Sequence, residues 1–270
     1  MTLDGNPCYG ACDLSREASG DILVHIGHTP LGRGDDERVI YMPLSQDADL
    51  AVLSAALPLL ERRIVGLVST AQHAHLLPEA AAFLEARGFE ARIGGPTPRT
   101  PLRGQVLGCS YGAARETGAP EILFVGTGLF HPLGVALATG ARVIAADPFT
   151  GQVEVADPGR LLRQRFARIE RAKGAATVGI LLSTKTGQRR AVLARKLASL
   201  DPSRSVVIAL EEVTPDALVN LGFDAYVNTA CPRLAYDDSM RFPAPVLAPP
   251  EYEIALGRRA WEEYVLDECG

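Results

Sequence analysis

LGCSYGAARETGAPEILFVGTGLFHPLG (residues 107–134) is a second telling of YGACDLSREASGDILVHIGHTPLG (residues 9–32). Each segment has a cysteine, a short polar stretch, an apolar run of strand type, a glycine turn and Pro-Leu-Gly. Two further matches flank them: RVIYMPL at 38–44 with RVIAADPF at 142–149, and VGLVST at 65–70 with VGILLST at 178–184. A repeat of about 100 residues is too long for a solenoid and suits a duplicated domain. Short apolar runs (ILVHI, VIYM, VGLVS, ILFVG, VIAAD, VGILLS, VVIAL, DAYVN) alternate with stretches of helical period, clearest over 78–89 and 188–200. Continuous apolar strands separated by helices predict parallel sheets covered on both faces. The expected architecture is α/β, in three homologous small domains over 1–46, 47–155 and 156–270. The first is truncated at its N-terminus: Cys109 follows a strand and a helix that have no counterpart before Cys12.

The 270 residues are 47% hydrophobic and 22% charged, values of a chain with a core to bury. Lys and Arg number 27 against 32 Asp and Glu, for a net charge of -5, and no basic run occurs. That balance argues against a nucleic-acid binder, which needs a basic stripe to meet phosphates. No apolar run approaches the roughly 20 residues that cross a bilayer, and MTLDGNPC has no export signal. The expectation is a cytoplasmic protein without a membrane or nucleic-acid partner.

Cysteines 8, 12, 109, 231 and 269 are then read as thiols, ligands or catalytic groups before disulfides. Cys8 and Cys12 begin a C-x-x-x-C-x-x-C motif, but Ser15 stands in its third place, and zinc-type C-x-x-C spacing is absent. Cys12 and Cys109 occupy equivalent places in two repeats, and Cys231 ends the strand-like DAYVNTAC of the third, a run that aligns better with EILFVGTGLFHPLG. Loops at the C-terminal ends of parallel strands are where α/β proteins build sites. Three thiolates meeting there would hold a cubane iron–sulfur cluster with one iron open to a ligand. The alternative is that the thiols pack as small hydrophobes.

YGACD, GQVLGCSYGAA, FVGTGLFHPLGVALATG, ADPFTG, STKTGQRR and NTACPRLAYDD, in that order, resemble the archaeal 2-(3-amino-3-carboxypropyl)histidine synthases, which carry out the first step of diphthamide biosynthesis. The resemblance implies three α/β domains, a homodimer, and one 4Fe-4S cluster per subunit, held by Cys12, Cys109 and Cys231. It implies a transferase that cleaves S-adenosylmethionine as a non-conventional radical enzyme. A 3-amino-3-carboxypropyl group would pass to C2 of a histidine of translation elongation factor 2, releasing methylthioadenosine, with electrons from a donor of unknown identity. No catalytic residue beyond the cluster is implied. Cys8 and Cys269 fall outside the motifs and are expected to be bystanders.

For the co-substrate, the turn Gly126, Thr127, Gly128 and the nearby His131 offer close backbone approach, or simply a tight turn. Asp147 could bind a ribose hydroxyl or an amino group, or cap the next turn. Lys185, Gln188 and Arg190 follow a strand and could meet the methionine carboxylate, or face solvent at a helix start. Asp237 and Asp238 would stand near a cluster held by Cys231, or form a solvated turn. Three other functions stay open: a non-catalytic iron–sulfur partner subunit, a nucleotide-dependent transferase or dehydrogenase with structural cysteines, and a binding scaffold. The broken glycine fingerprint weighs against the second.

Overall fold

The computed structural model describes residues 22–30, 39–237 and 241–269, with the side chain of Thr186 excepted. Cys8, Cys12 and Asp238 lie outside the described residues. Strands β1 (Leu23–Ile26) and β2 (Val39–Met42) pair in parallel, Leu23 opposite Val39. A five-stranded sheet then forms from β3 (Ile64–Ser69), β4 (Glu90–Ile93), β5 (Glu121–Val125), β6 (Arg142–Ala146) and β7 (Val153–Val155), in the order β4-β3-β5-β6-β7. A four-stranded sheet follows, from β8 (Val178–Ser183), β9 (Ser205–Leu210), β10 (Ala225–Asn228) and β11 (Val246–Leu247), in the order β11-β10-β8-β9. Among the described strands every pairing is parallel except β6 with β7. That edge strand corrects the expectation of parallel pairing throughout. A turn over 147–152 sends the chain straight back, and Val153-Glu154-Val155 is too short and too exposed to carry a strand signature.

Burial on both faces follows from the strand sequences. In β5, Leu123 and Val125 enter one core with α1 (Val52–Ala56) and α2 (Leu77–Glu85). Ile122 and Phe124 enter another core, with α3 (Gly112–Glu116) and α4 (Phe130–Thr139). A continuous apolar run is what a period-2 strand needs when both faces are covered. Glu121, fully buried, begins β5 opposite Arg142, to which it is ion-paired, and its other oxygen accepts the N–H groups of Glu61 and Arg62 at 3.0 Å.

The last sheet repeats the scheme. Ile180, Ala225 and Val227 meet α5 (Gly159–Lys173), α6 (Ala191–Ala198) and α9 (Pro249–Ala255). Leu181 and Tyr226 meet α7 (Pro215–Leu221) on the other face, beside the short α8 (Arg233–Tyr236). Helix α7 starts where Thr214 accepts the N–H of Ala217 and Pro215 fills the first turn.

Arg165 on α5 is completely buried. Its guanidinium grips Glu251 of α9 at 2.6 and 2.8 Å, donates to the Val246 carbonyl at 2.7 Å and also reaches the Ala235 carbonyl. One ion pair therefore joins α5, α8, α9 and β11. No helix among the described residues is long and apolar enough to cross a membrane.

Candidate functional site

Beyond the C-terminal end of β3, the chain after β4 runs alongside it: Ser69 N–H donates to Gly104 at 2.9 Å and Val106 N–H to Ser69 at 2.8 Å. Leu107 and Ser110 then exchange backbone hydrogen bonds and close a tight turn with half-buried Cys109 near its tip. Gly108 makes the turn fit, since a Cβ there would stand 2.3 Å from the Phe130 ring. The segment after β1 reaches the same place, because Gln105 donates to Thr29 Oγ1 at 3.0 Å with both side chains buried.

Cys231 stands beyond β10 in a loop fixed by three side chains. Asn228 accepts the Ala230 N–H at 2.9 Å and donates to the Cys231 carbonyl at 2.7 Å. Thr229 Oγ1 donates to the Leu181 carbonyl at 2.7 Å. Arg190 donates to the carbonyls of Thr229 at 2.9 Å and Ala230 at 3.2 Å, while Asp267 holds its fork at 2.6 and 2.7 Å. The same guanidinium is close enough to Cys109 and Cys269 to interact with their charge. Among the described residues, no group of three or more His, Cys, Asp or Glu could hold a metal ion. The third motif cysteine, Cys12, is not among them.

Cys269, expected to be a bystander, stands beside Cys109. From Tyr264 onward the chain is stitched along this edge of the molecule. Tyr264 donates to Glu251 at 3.0 Å, and the Asp267 N–H donates to the Tyr236 hydroxyl at 2.8 Å. Glu268 pairs with Arg115 and accepts the Tyr111 N–H at 3.1 Å. Finally the Cys269 N–H donates to the Cys109 carbonyl at 2.9 Å. A hydrogen bond with the Cys109 thiol lowers the Cys269 thiol to about 7, burial opposing it and Arg190 and Arg99 adding to it. Arg99, Asp267 and Cys269 carry no local sequence signal of this role.

A cavity of about 800 Å³ opens between the segments that follow the two cysteine loops. Tyr111, two residues after Cys109, and Arg233, two residues after Cys231, both line it, as do Thr127, Gly128 and His131. Gly126 and Gly128 have φ of 152° and 71°, so the turn after β5 is one that a side chain would strain. Burial, with a smaller contribution from the Arg233 cation, pushes the His131 imidazole down to about 4, leaving it neutral near pH 7.

The remaining expected residues stand elsewhere. Asp147 does not line the cavity and caps its own turn, accepting the N–H groups of Phe149 at 2.9 Å and Thr150 at 3.2 Å. Lys185 is buried, 3.7 Å from Glu212, and Gln188 sits in a 3-10 turn over Thr186–Gln188; neither lines the cavity. Asp237 does line it, paired with Arg233 at 2.6 Å.

Comparison with known proteins gives a consistent match. The family model described as "Putative diphthamide synthesis protein" matches residues 1–265. A 2-(3-amino-3-carboxypropyl)histidine synthase from Pyrococcus horikoshii is 40% identical over 98% of this chain and 80% of its own length. The human 2-(3-amino-3-carboxypropyl)histidine synthase subunit 1 is 32% identical over 97% of this chain, which spans 63% of that subunit. The crystal structure of Dph2 from Pyrococcus horikoshii with a 4Fe-4S cluster superposes with a TM-score of 0.91 at 38% identity, covering 99% of this chain and 80% of that one.

Proposed function

Because the chain belongs to the diphthamide synthesis family that includes the 2-(3-amino-3-carboxypropyl)histidine synthases, we propose that it is such a synthase. It takes S-adenosylmethionine as co-substrate and a histidine of translation elongation factor 2 as acceptor. Cys12, Cys109 and Cys231 are the residues that would hold one 4Fe-4S cluster. The donor set suits the group: thiols are its usual ligands, and the segments that follow Cys109 and Cys231 line one cavity. When bound, the cluster supplies an electron and an open iron for cleaving a carbon–sulfur bond of the sulfonium.

The chain's own residues do the rest. Arg190, held by Asp267, fixes the loop that presents Cys231 and sets a positive charge near Cys109 that favours its thiolate. Thr127, Gly128 and neutral His131 line a cavity whose volume suits a nucleoside-sized ligand. The tight turn lets a ligand approach the backbone closely. Tyr111 and Phe130 form the wall of the cavity nearest the Cys109 turn. The observation that carries the reading is that Tyr111, two residues after Cys109, and Arg233, two residues after Cys231, line a single cavity. Three small α/β domains, a homodimer and a cytoplasmic location complete the proposal.

The test is anaerobic loading with iron and sulfide, dithionite reduction with S-adenosylmethionine, and chromatography of the products. Methylthioadenosine is expected, with 5'-deoxyadenosine absent or minor. 5'-Deoxyadenosine as the main product would place the adenosyl carbon at the cluster and contradict the proposal, and iron binding without cleavage would mark a partner subunit.

A further inference from the structure

Cys109 and Cys269 are far apart in sequence and adjacent in space. Their backbones share the 2.9 Å hydrogen bond between the Cys269 N–H and the Cys109 carbonyl, and their thiols are hydrogen-bonded to each other. Residues joined by a backbone hydrogen bond lie within several ångströms of each other, on the order of the roughly 4.4–6.8 Å between Cα atoms that a disulfide spans. The segment carrying Cys269 is anchored to the helices α3 and α8 and to the start of α6, through Tyr111, Arg115, Tyr236 and Arg190, so the juxtaposition does not depend on one contact. Cys269 is buried, and nothing in the proposed reaction uses it.

We propose that Cys109 and Cys269 form a reversible disulfide when iron is absent, protecting Cys109 from irreversible oxidation until a cluster is built. The guarding role rests on the reading of Cys109 as a cluster ligand; the cross-link itself does not. In the step, the two S–H bonds break and one S–S bond forms. The two thiols lose two electrons and two protons, and dioxygen takes both to become hydrogen peroxide. A dithiol reductant reverses the bond by exchange, releasing Cys109 for the metal. With iron in place the Cys109 sulfur is engaged and the bond cannot form. Without Cys269, the same oxidation carries Cys109 along the ladder through sulfenic to sulfinic acid, which reductants of this class do not reverse.

The experiment uses the full chain, purified without oxygen, in iron-free and iron-loaded forms. Each is exposed to air, alkylated without reductant, digested and mapped by mass spectrometry. The iron-free chain should lose two titratable thiols and yield a peptide joining Cys109 to Cys269, and the iron-loaded chain should yield little of it. Air-exposed iron-free chain should fail to take up iron until dithiothreitol is added. Under the same exposure Cys269→Ser should accumulate sulfinic acid at Cys109, and dithiothreitol should not rescue its iron uptake. Recovery of Cys269 alkylated in the air-exposed wild type, or linkage of Cys109 to Cys231 or Cys12 instead, would overturn the inference and leave the cluster reading standing. Failure of the fully reduced chain to bind iron, with the Cys109–Cys269 link present, would overturn the guarding role and the cluster reading together.

Discussion

Strand β5 is followed by Gly126-Thr127-Gly128 and strand β10 by Thr229-Ala230-Cys231, in two sheets that share the order of four strands, β4-β3-β5-β6 matching β9-β8-β10-β11. Val65 pairs with Glu121 and Val178 with Ala225, and Thr127 and Cys231 each lie six residues beyond those partners. Thr127 and Cys231 are thus equivalent, yet one is exposed on a glycine turn and the other is half-buried in a loop braced by Asn228, Thr229 and Arg190. Cys109 differs again, arriving before β5 on chain laid along the end of β3. The parallel sheet determines that loops gather at one edge. The residues in each loop determine whether it offers an open turn or a thiol.

The comparison breaks most sharply at the thiol. Cys231→Ser is expected to remove nearly all bound iron after anaerobic loading, measured with sulfide content and the charge-transfer band. Thr127→Val at the equivalent place should leave iron unchanged and weaken S-adenosylmethionine binding about three- to tenfold, read by calorimetry. Equal iron loss from both would mean that the two loops do not divide the work.

Bracing is the next difference. The last sheet hangs on a buried ion pair, so Arg165→Met should cost about 3–5 kcal/mol in denaturant unfolding by stranding Glu251. Adding Glu251→Leu should recover most of the loss. In the middle sheet, which has its own pair of Glu121 with Arg142, close packing sets a smaller effect: a Cβ on Gly134 would meet the Tyr111 hydroxyl at 1.9 Å, and Gly134→Ala should cost about 1–3 kcal/mol.

The smallest effect is in pH. His131 titrates at about 4 when folded against 6.5 in an open chain, so the unfolded state binds the extra proton first. Stability should be full above pH 6.5 and fall as pH drops toward 4. His131→Asn should remove that part of the slope, read from unfolding midpoints across the window.

Much of the frame was legible in the sequence because strands buried on both faces are continuous apolar runs, such as Ile64–Ser69 and Glu121–Val125, and these stand out against amphipathic helices. Strand β7 was not, being two valines around an exposed Glu154 on an antiparallel edge. The helix over 78–89 ends earlier, at Glu85, because Gly88 takes a φ of 86° and turns the chain before Phe89. Cys109 and Cys231 stood out in the sequence through their motif contexts, and the segments that follow them line one cavity. The Arg190–Asp267 pair and the Cys109–Cys269 contact were not, since single polar residues meeting across long sequence separations leave no periodicity or spacing to read.

The central claim is the transfer itself. The direct measurement is intact and peptide mass spectrometry of translation elongation factor 2 after incubation with the iron-loaded, reduced chain and S-adenosylmethionine. The account predicts one 3-amino-3-carboxypropyl group on a single histidine, with methylthioadenosine in equal amount and free histidine unmodified. Methylthioadenosine with an unmodified elongation factor, or modification of free histidine at a similar rate, would contradict it.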